Sequence, residues 1–94
     1  MISSFADKEI EKFFLYGKIS HRKGWFQVGK IVKRKLDMID YARDLIDLRS
    51  PPSNCFEKLK GDLEGFYSIR VNDQWRIIFK WDVQPFDVNV VDYH

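Results

Sequence analysis

With 94 residues and a formal net charge of +2, the chain has room for one domain, residues 1–94, and bulk charge does not announce a nucleic-acid binder. Hydrophobic residues make up 45% of it, including eight Phe, four Tyr and three Trp, so a packed core is expected and disorder is excluded. The single cysteine, Cys55, excludes an internal disulfide and a cysteine-built zinc site. No apolar run approaches the roughly 18 residues of a membrane span, and Met1–Phe5 is too short to carry the apolar region of a secretory leader, so a soluble cytoplasmic protein is expected.

Ile2–Phe5 has the composition of a short strand, at an edge or centrally. Asp7 reads as the start of a helix, with Ile10, Phe13 and Phe14 at helical spacing and Gly17 as its stop. Lys18–Gly24 is polar and basic, a loop by composition. From about Trp25 to about Leu48, the positions Val28, Ile31, Val32, Leu36, Ile39, Ala42, Leu45 and Ile46 recur at intervals that predict one long amphipathic helix. Gly29 weakens its beginning by about 1 kcal/mol relative to Ala. Ser50-Pro51-Pro52-Ser53-Asn54 ends it in a loop.

The remainder reads as sheet. Phe66–Asn72 alternates, with Tyr67, Ile69 and Val71 on one face and Ser68 and Arg70 on the other. Asn72-Asp73 is expected to turn the chain. Trp75, Ile77, Phe79 and Trp81 then oppose Arg76, Ile78 and Lys80, a second turn covers Asp82–Pro85, and Phe86–Tyr93 closes the sheet. The expected class is α+β: two N-terminal helices packed on a mainly antiparallel twisted sheet.

Charge is unevenly placed. Lys18, His21, Arg22, Lys23, Lys30, Lys33, Arg34 and Lys35 crowd one third of the chain, and Asp37, Asp40, Asp44 and Asp47 follow. Such a run is either a solvated helix laced by pairs such as Lys33–Asp37 and Arg43–Asp47, or a basic surface for phosphate.

Among chemical motifs, P-loop and dinucleotide glycine patterns, HExxH, CxxC and serine-hydrolase elbows are missing from the sequence, and no acidic cluster has obvious metal spacing. No cofactor and no metal are expected. What remains is a polar set on or beside the predicted strands: Lys60, Arg76, Asp92, Tyr93 and His94. Arg76 lies in the most hydrophobic strand, so its charge must be paired with a neighbouring acid or must line a concave surface. If the closing strand holds to its end, Asp92 and His94 share a face with Tyr93 opposite. A histidine, a tyrosine, a carboxylate and fixed cations suit metal-free RNA cleavage: the attacking 2′-hydroxyl must lose a proton, the leaving 5′-oxygen must gain one, and charge grows on the phosphate between them.

Taken together, Met1-Ile2-Ser3-Ser4-Phe5, Lys12-Phe13-Phe14, Gly17, Leu59-Lys60-Gly61-Asp62, Gly65-Phe66-Tyr67-Ser68-Ile69, Val71-Asn72, Trp75-Arg76-Ile77 and the final Asp92-Tyr93-His94 resemble the HigB-type toxins of type II toxin–antitoxin systems, within the RelE/ParE-like superfamily. The resemblance spans the whole chain. It implies a microbial RNase fold and ribosome-dependent cleavage of mRNA in the A site, leaving a 2′,3′-cyclic phosphate and a 5′-hydroxyl. It also implies a cognate HigA-like helix-turn-helix antitoxin as partner, with operator DNA reached only through that antitoxin. By position, Lys60 would neutralise substrate phosphate, Arg76 would stabilise the transition state, His94 with Asp92 would move protons, and Tyr93 would stack on or orient a base. Lys18, Arg22, Lys23, Lys30, Lys33 and Arg34 would contact ribosomal RNA. Many relatives carry His-Pro-Leu-Lys-Gly where this chain has Glu57-Lys58-Leu59-Lys60-Gly61, so Glu57 stands in the place of a histidine and opens a different acid–base assignment. Two other readings stay open: a non-catalytic ParE-like inhibitor of a protein target, and a decayed toxin retained as a binding or corepressor module.

Overall fold

The computed structural model describes residues 1–20 and 22–93; His21 and His94 lie outside the described residues. Helix α1 runs over Lys8–Tyr16. The Asp7 carboxylate accepts from the Glu9 backbone N–H at its start, and Gly17, at φ 74°, closes its end by donating to the Phe13 carbonyl. The core side of α1 is Ile10 and Phe13.

Helix α2 is shorter than its periodicity predicts. A 3₁₀ turn at Phe26–Val28 leads into an α-helix over Gly29–Tyr41, and a separate 3₁₀ turn covers Leu45–Arg49. The break has a local cause. Asp44 and Asp47 form a capping box, in which Asp47 accepts from the backbone N–H groups of Arg43 and Asp44 at 3.0 and 3.2 Å. These carboxylates offer the backbone partners that a continuing helix would have supplied, and Ala42 turns to extended geometry (ψ 133°). The expected Arg43–Asp47 pair is therefore a side chain bonded to backbone, whereas Lys33–Asp37 is an ion pair at 2.6 Å. Leu48 still reaches the core, along with Val32, Leu36 and Ile39 of α2.

Four antiparallel strands follow in the order β1 (Glu57–Lys58), β2 (Tyr67–Arg70), β3 (Trp75–Asp82) and β4 (Gln84–Asp92). Strand β1 is too short for periodicity to reveal. The first hairpin turns on Asn72, whose side-chain oxygen accepts from the N–H groups of Gln74 and Trp75. In the second, Val83 sits at the tip at φ 64°. A bulge interrupts β3–β4 pairing: Ile78 opposes Asn89 and Lys80 opposes Phe86, leaving one extra residue in β4, with Asp87 at φ 52°. This explains why Pro85, Val88 and Val90, unevenly spaced, all lie buried.

Residues 3–6 lie along the outer edge of β4. Phe5 makes a parallel bridge to Val88, Ser3 donates to the Pro85 carbonyl and Ala6 to the Val88 carbonyl, both at 2.9 Å. Both helices pack against one face of the sheet, where Ile69, Val71, Ile77, Phe79, Val88 and Val90 meet Ile10, Phe13, Trp25, Val32, Leu36 and Ile39. The other face carries Glu57, Ser68, Arg70, Arg76, Ile78, Lys80 and Asn89, by strand alternation and register.

Candidate active site on the outer sheet face

Arg76, the second residue of β3, lies on this outer face opposite Arg70 on β2 and Val91 on β4. Its residue surface is only 7% exposed, so its charge depends on partners in the protein. Nε donates to Ser68 Oγ at 2.9 Å, and Nη2 donates to the Cys55 carbonyl at 2.5 Å. Ser68 is fully buried, and Cys55 sits in a left-handed turn (φ 45°) that ends the 3₁₀ turn Pro52–Asn54. The guanidinium is thus held in one plane from two sides. Glu57 Oε1 lies 3.8 Å from Nη1, and the Tyr93 ring centroid lies 5.2 Å from the guanidinium carbon. The acid nearest Arg76 is thus Glu57 of β1, two strands away, rather than one on a strand adjoining β3.

Glu57 reaches this position because it pairs with Ser68, which sets its side chain on the Arg76 face. Tyr93, 41% exposed, arrives from the end of β4, its N–H bonded to the Gln74 carbonyl at 2.8 Å. Arg70, the second cation of the row, is paired with Asp73.

The other expected residues divide. Asp92 opposes Trp75, and so takes the helix-side face; its Oδ2 accepts from Gln74 Nε2 at 3.0 Å. The structure does not bring it beside Arg76, although Asp92 and Tyr93 do take opposite faces as the alternation predicts. Lys60 is exposed and precedes the 3₁₀ turn Gly61–Leu63. His94 is outside the described residues. Of the basic run, Lys18, Arg22, Lys30 and Arg34 are exposed. Lys23 ties the loop to α1 through Asp7 and Glu9, each at 2.9 Å, which lowers the Asp7 pKa and raises that of Lys23 through these hydrogen bonds. Lys33 is held between Asp37 and the ring of Phe14.

Lys35 is buried: Nζ donates to Asn54 Oδ1 at 2.5 Å, and burial, then the nearby Arg34 and Arg70, push its pKa down. Sequence reasoning groups it with the surface cations. It also misses Ser68 and the Cys55 carbonyl. A small hydroxyl residue in β2, on the same face as an arginine one strand away, is the available signal for the first. A backbone acceptor leaves no trace in composition. Among the described residues no three His, Cys, Asp or Glu side chains gather as a metal site, and no helix is long and apolar enough to cross a membrane.

Residues 3–94 match the family model of the RelE-like toxin of type II toxin–antitoxin system HigB. The chain is 44% identical over 81 residues to Toxin HigB-1 of Vibrio cholerae serotype O1, covering 86% of this chain and 84% of that protein. It is 33% identical to Endoribonuclease HigB of Proteus vulgaris with both chains fully covered. In three dimensions it is similar to the YoeB–YefM complex from Staphylococcus aureus, with TM-score 0.60 and 22% identity over all of this chain and 95% of that one. At that identity the likeness speaks for the fold.

Proposed function

The chain belongs to the RelE-like HigB toxins of type II toxin–antitoxin systems, and from that premise we propose that it is a ribosome-dependent mRNA endoribonuclease whose chemistry runs on the outer sheet face. The observation that carries this reading is the clamped Arg76: a buried guanidinium oriented by Ser68 and the Cys55 carbonyl, with Glu57 and Tyr93 at its open side. A cation so fixed costs no reorganisation when charge develops on a phosphate in front of it. The relative named Endoribonuclease HigB supports the reaction class.

In this reading the 2′-hydroxyl attacks the adjacent phosphorus, and the bond to the 5′-oxygen breaks, giving a 2′,3′-cyclic phosphate and a 5′-hydroxyl without a metal. Arg76 faces the phosphate oxygens. Glu57 stands where it can accept the 2′-hydroxyl proton, and His94 supplies the proton to the leaving oxygen. Tyr93 offers its ring to the base beside the scissile bond. Lys60 and the exposed Lys18, Arg22, Lys30 and Arg34 add phosphate contacts to mRNA or ribosomal RNA. Asp92 orders the β3–β4 end through Gln74 and so sets where Tyr93 stands. A HigA-like antitoxin completes the system, in keeping with the toxin–antitoxin complexes that the fold resembles.

The test is a translating extract with and without the protein, mapping mRNA ends by primer extension. Cuts should appear only while ribosomes translate, and Arg76→Ala and His94→Gln should abolish them. Full cleavage by both variants removes this mechanism.

A further inference from the structure

The outer sheet face carries a second cation–aromatic couple that the cleavage step does not use. Lys80 Nζ sits 5.0 Å from the ring centroid of Phe66. The β2–β3 register pairs Tyr67 with Phe79, so the next pair outward is Phe66 with Lys80, on the same face as Arg76. Four residues separate Lys80 from Arg76 along β3, about 13 Å at a strand rise of about 3.3 Å per residue. Between them Ile78, only 5% exposed, forms an apolar floor. Among the described residues no ion pair holds Lys80. The face therefore shows a repeat, Tyr93 with Arg76 and Phe66 with Lys80, along one strand.

Ring plus cation at two points along one sheet face is the arrangement that takes a single-stranded nucleic acid, with bases on the rings and phosphates on the cations. Building on the nuclease reading, we propose that Phe66 and Lys80 form a substrate subsite for a nucleotide neighbouring the scissile phosphate. Phe66 stacks on its base, Lys80 neutralises its phosphate, and the RNA strand runs along β3. The charge complementarity and the continuity with the Arg76 pocket favour RNA over a protein segment as the occupant.

Binding can be separated from cleavage by using a short fluorescent RNA that carries a 2′-deoxy nucleotide at the cut site and reading anisotropy at several salt concentrations. Phe66→Ala should weaken binding about five- to 150-fold, the range for losing one base–aromatic stack. Lys80→Gln should flatten the salt slope by about 0.7, the change expected when one phosphate fewer is neutralised on a single strand. An abasic site walked along the RNA should weaken wild-type binding at one position beside the cut and have no effect there in Phe66→Ala. A folding defect would instead leave that abasic penalty intact. Wild-type affinity and salt slope in both variants, an abasic penalty that persists in Phe66→Ala, or no binding by the wild type overturns the subsite. Should the protein bind this RNA yet never cut mRNA on ribosomes, the nuclease reading fails while the subsite stands.

Discussion

Asn54→Ala tests how the loop that holds Arg76 is itself held. Asn54 is fully buried, accepts from Lys35 Nζ at 2.5 Å, and donates to the carbonyls of Leu48 and Ser50 at 3.1 and 3.3 Å. Alanine removes these bonds, together with a weaker one from Nδ2 to Met38 Sδ at 3.9 Å, and strands a buried ammonium, a loss of about 3–5 kcal/mol. A domain of this length has about 5–14 kcal/mol in total, so urea denaturation should show a midpoint greatly reduced. Lys35→Met should stay within about 1 kcal/mol of wild type, because removing the buried charge offsets the acceptor left on Asn54. In that background Asn54→Ala loses its two carbonyl bonds and the weak Met38 contact, about 1–3 kcal/mol. The two substitutions should therefore couple by about 2 kcal/mol. Equal costs of Asn54→Ala in both backgrounds would refute the reasoning. A pH series gives the sign independently. Burial lowers the Lys35 pKa from the usual 10.5, so the unfolded chain holds its proton longer. Wild-type stability relative to Lys35→Met should rise as pH climbs from the lowered folded pKa toward 10.5, and level off above it.

Glu57→Gln keeps the shape beside Arg76 and removes the proposed proton acceptor; single-turnover cleavage should fall about 10²- to 10⁴-fold with little change in urea midpoint. Ser68→Ala leaves the Arg76 Nε–H without its acceptor, which should cost about 1.5–3 kcal/mol in urea and slow cleavage by freeing the guanidinium. Val83→Gly should raise stability by about 0.5–1 kcal/mol, since a β-branched residue at φ 64° loses about 1–2 kcal/mol to left-handed geometry and glycine gives back only part of that in chain entropy; thermal melts decide it.

What the sequence disclosed depended on the range of the interaction. Alternation over Trp75–Trp81 sorts Arg76, Ile78 and Lys80 onto one face, as found, because a pleated strand fixes side-chain direction residue by residue. The α1 boundaries follow from Asp7 and Gly17, which act on their own turns. The end of α2 does not. Its apolar periodicity continues to Ile46, but Asp44 and Asp47 capture the backbone first, and a period count is blind to that competition. At the site, Tyr93 is named from its place on the closing strand and Glu57 from resemblance, and the structure sets both against Arg76. Asp92 is grouped with them, yet one step of strand alternation sends it to the helix side opposite Trp75. The Cys55 carbonyl belongs to a loop 21 residues away in sequence, and only the folded path of the chain reveals it.

The parallel zipper between residues 3–6 and β4 joins partners more than eighty positions apart. During synthesis the first-made segment waits until β4 has emerged, because loop closure over such a span must precede any reward from the contact. Tyr93 belongs to that same late-arriving strand, so the pocket around Arg76 is assembled only when the strand is free to pair. The face around Arg76 is thus complete only after β4 has left the exit tunnel.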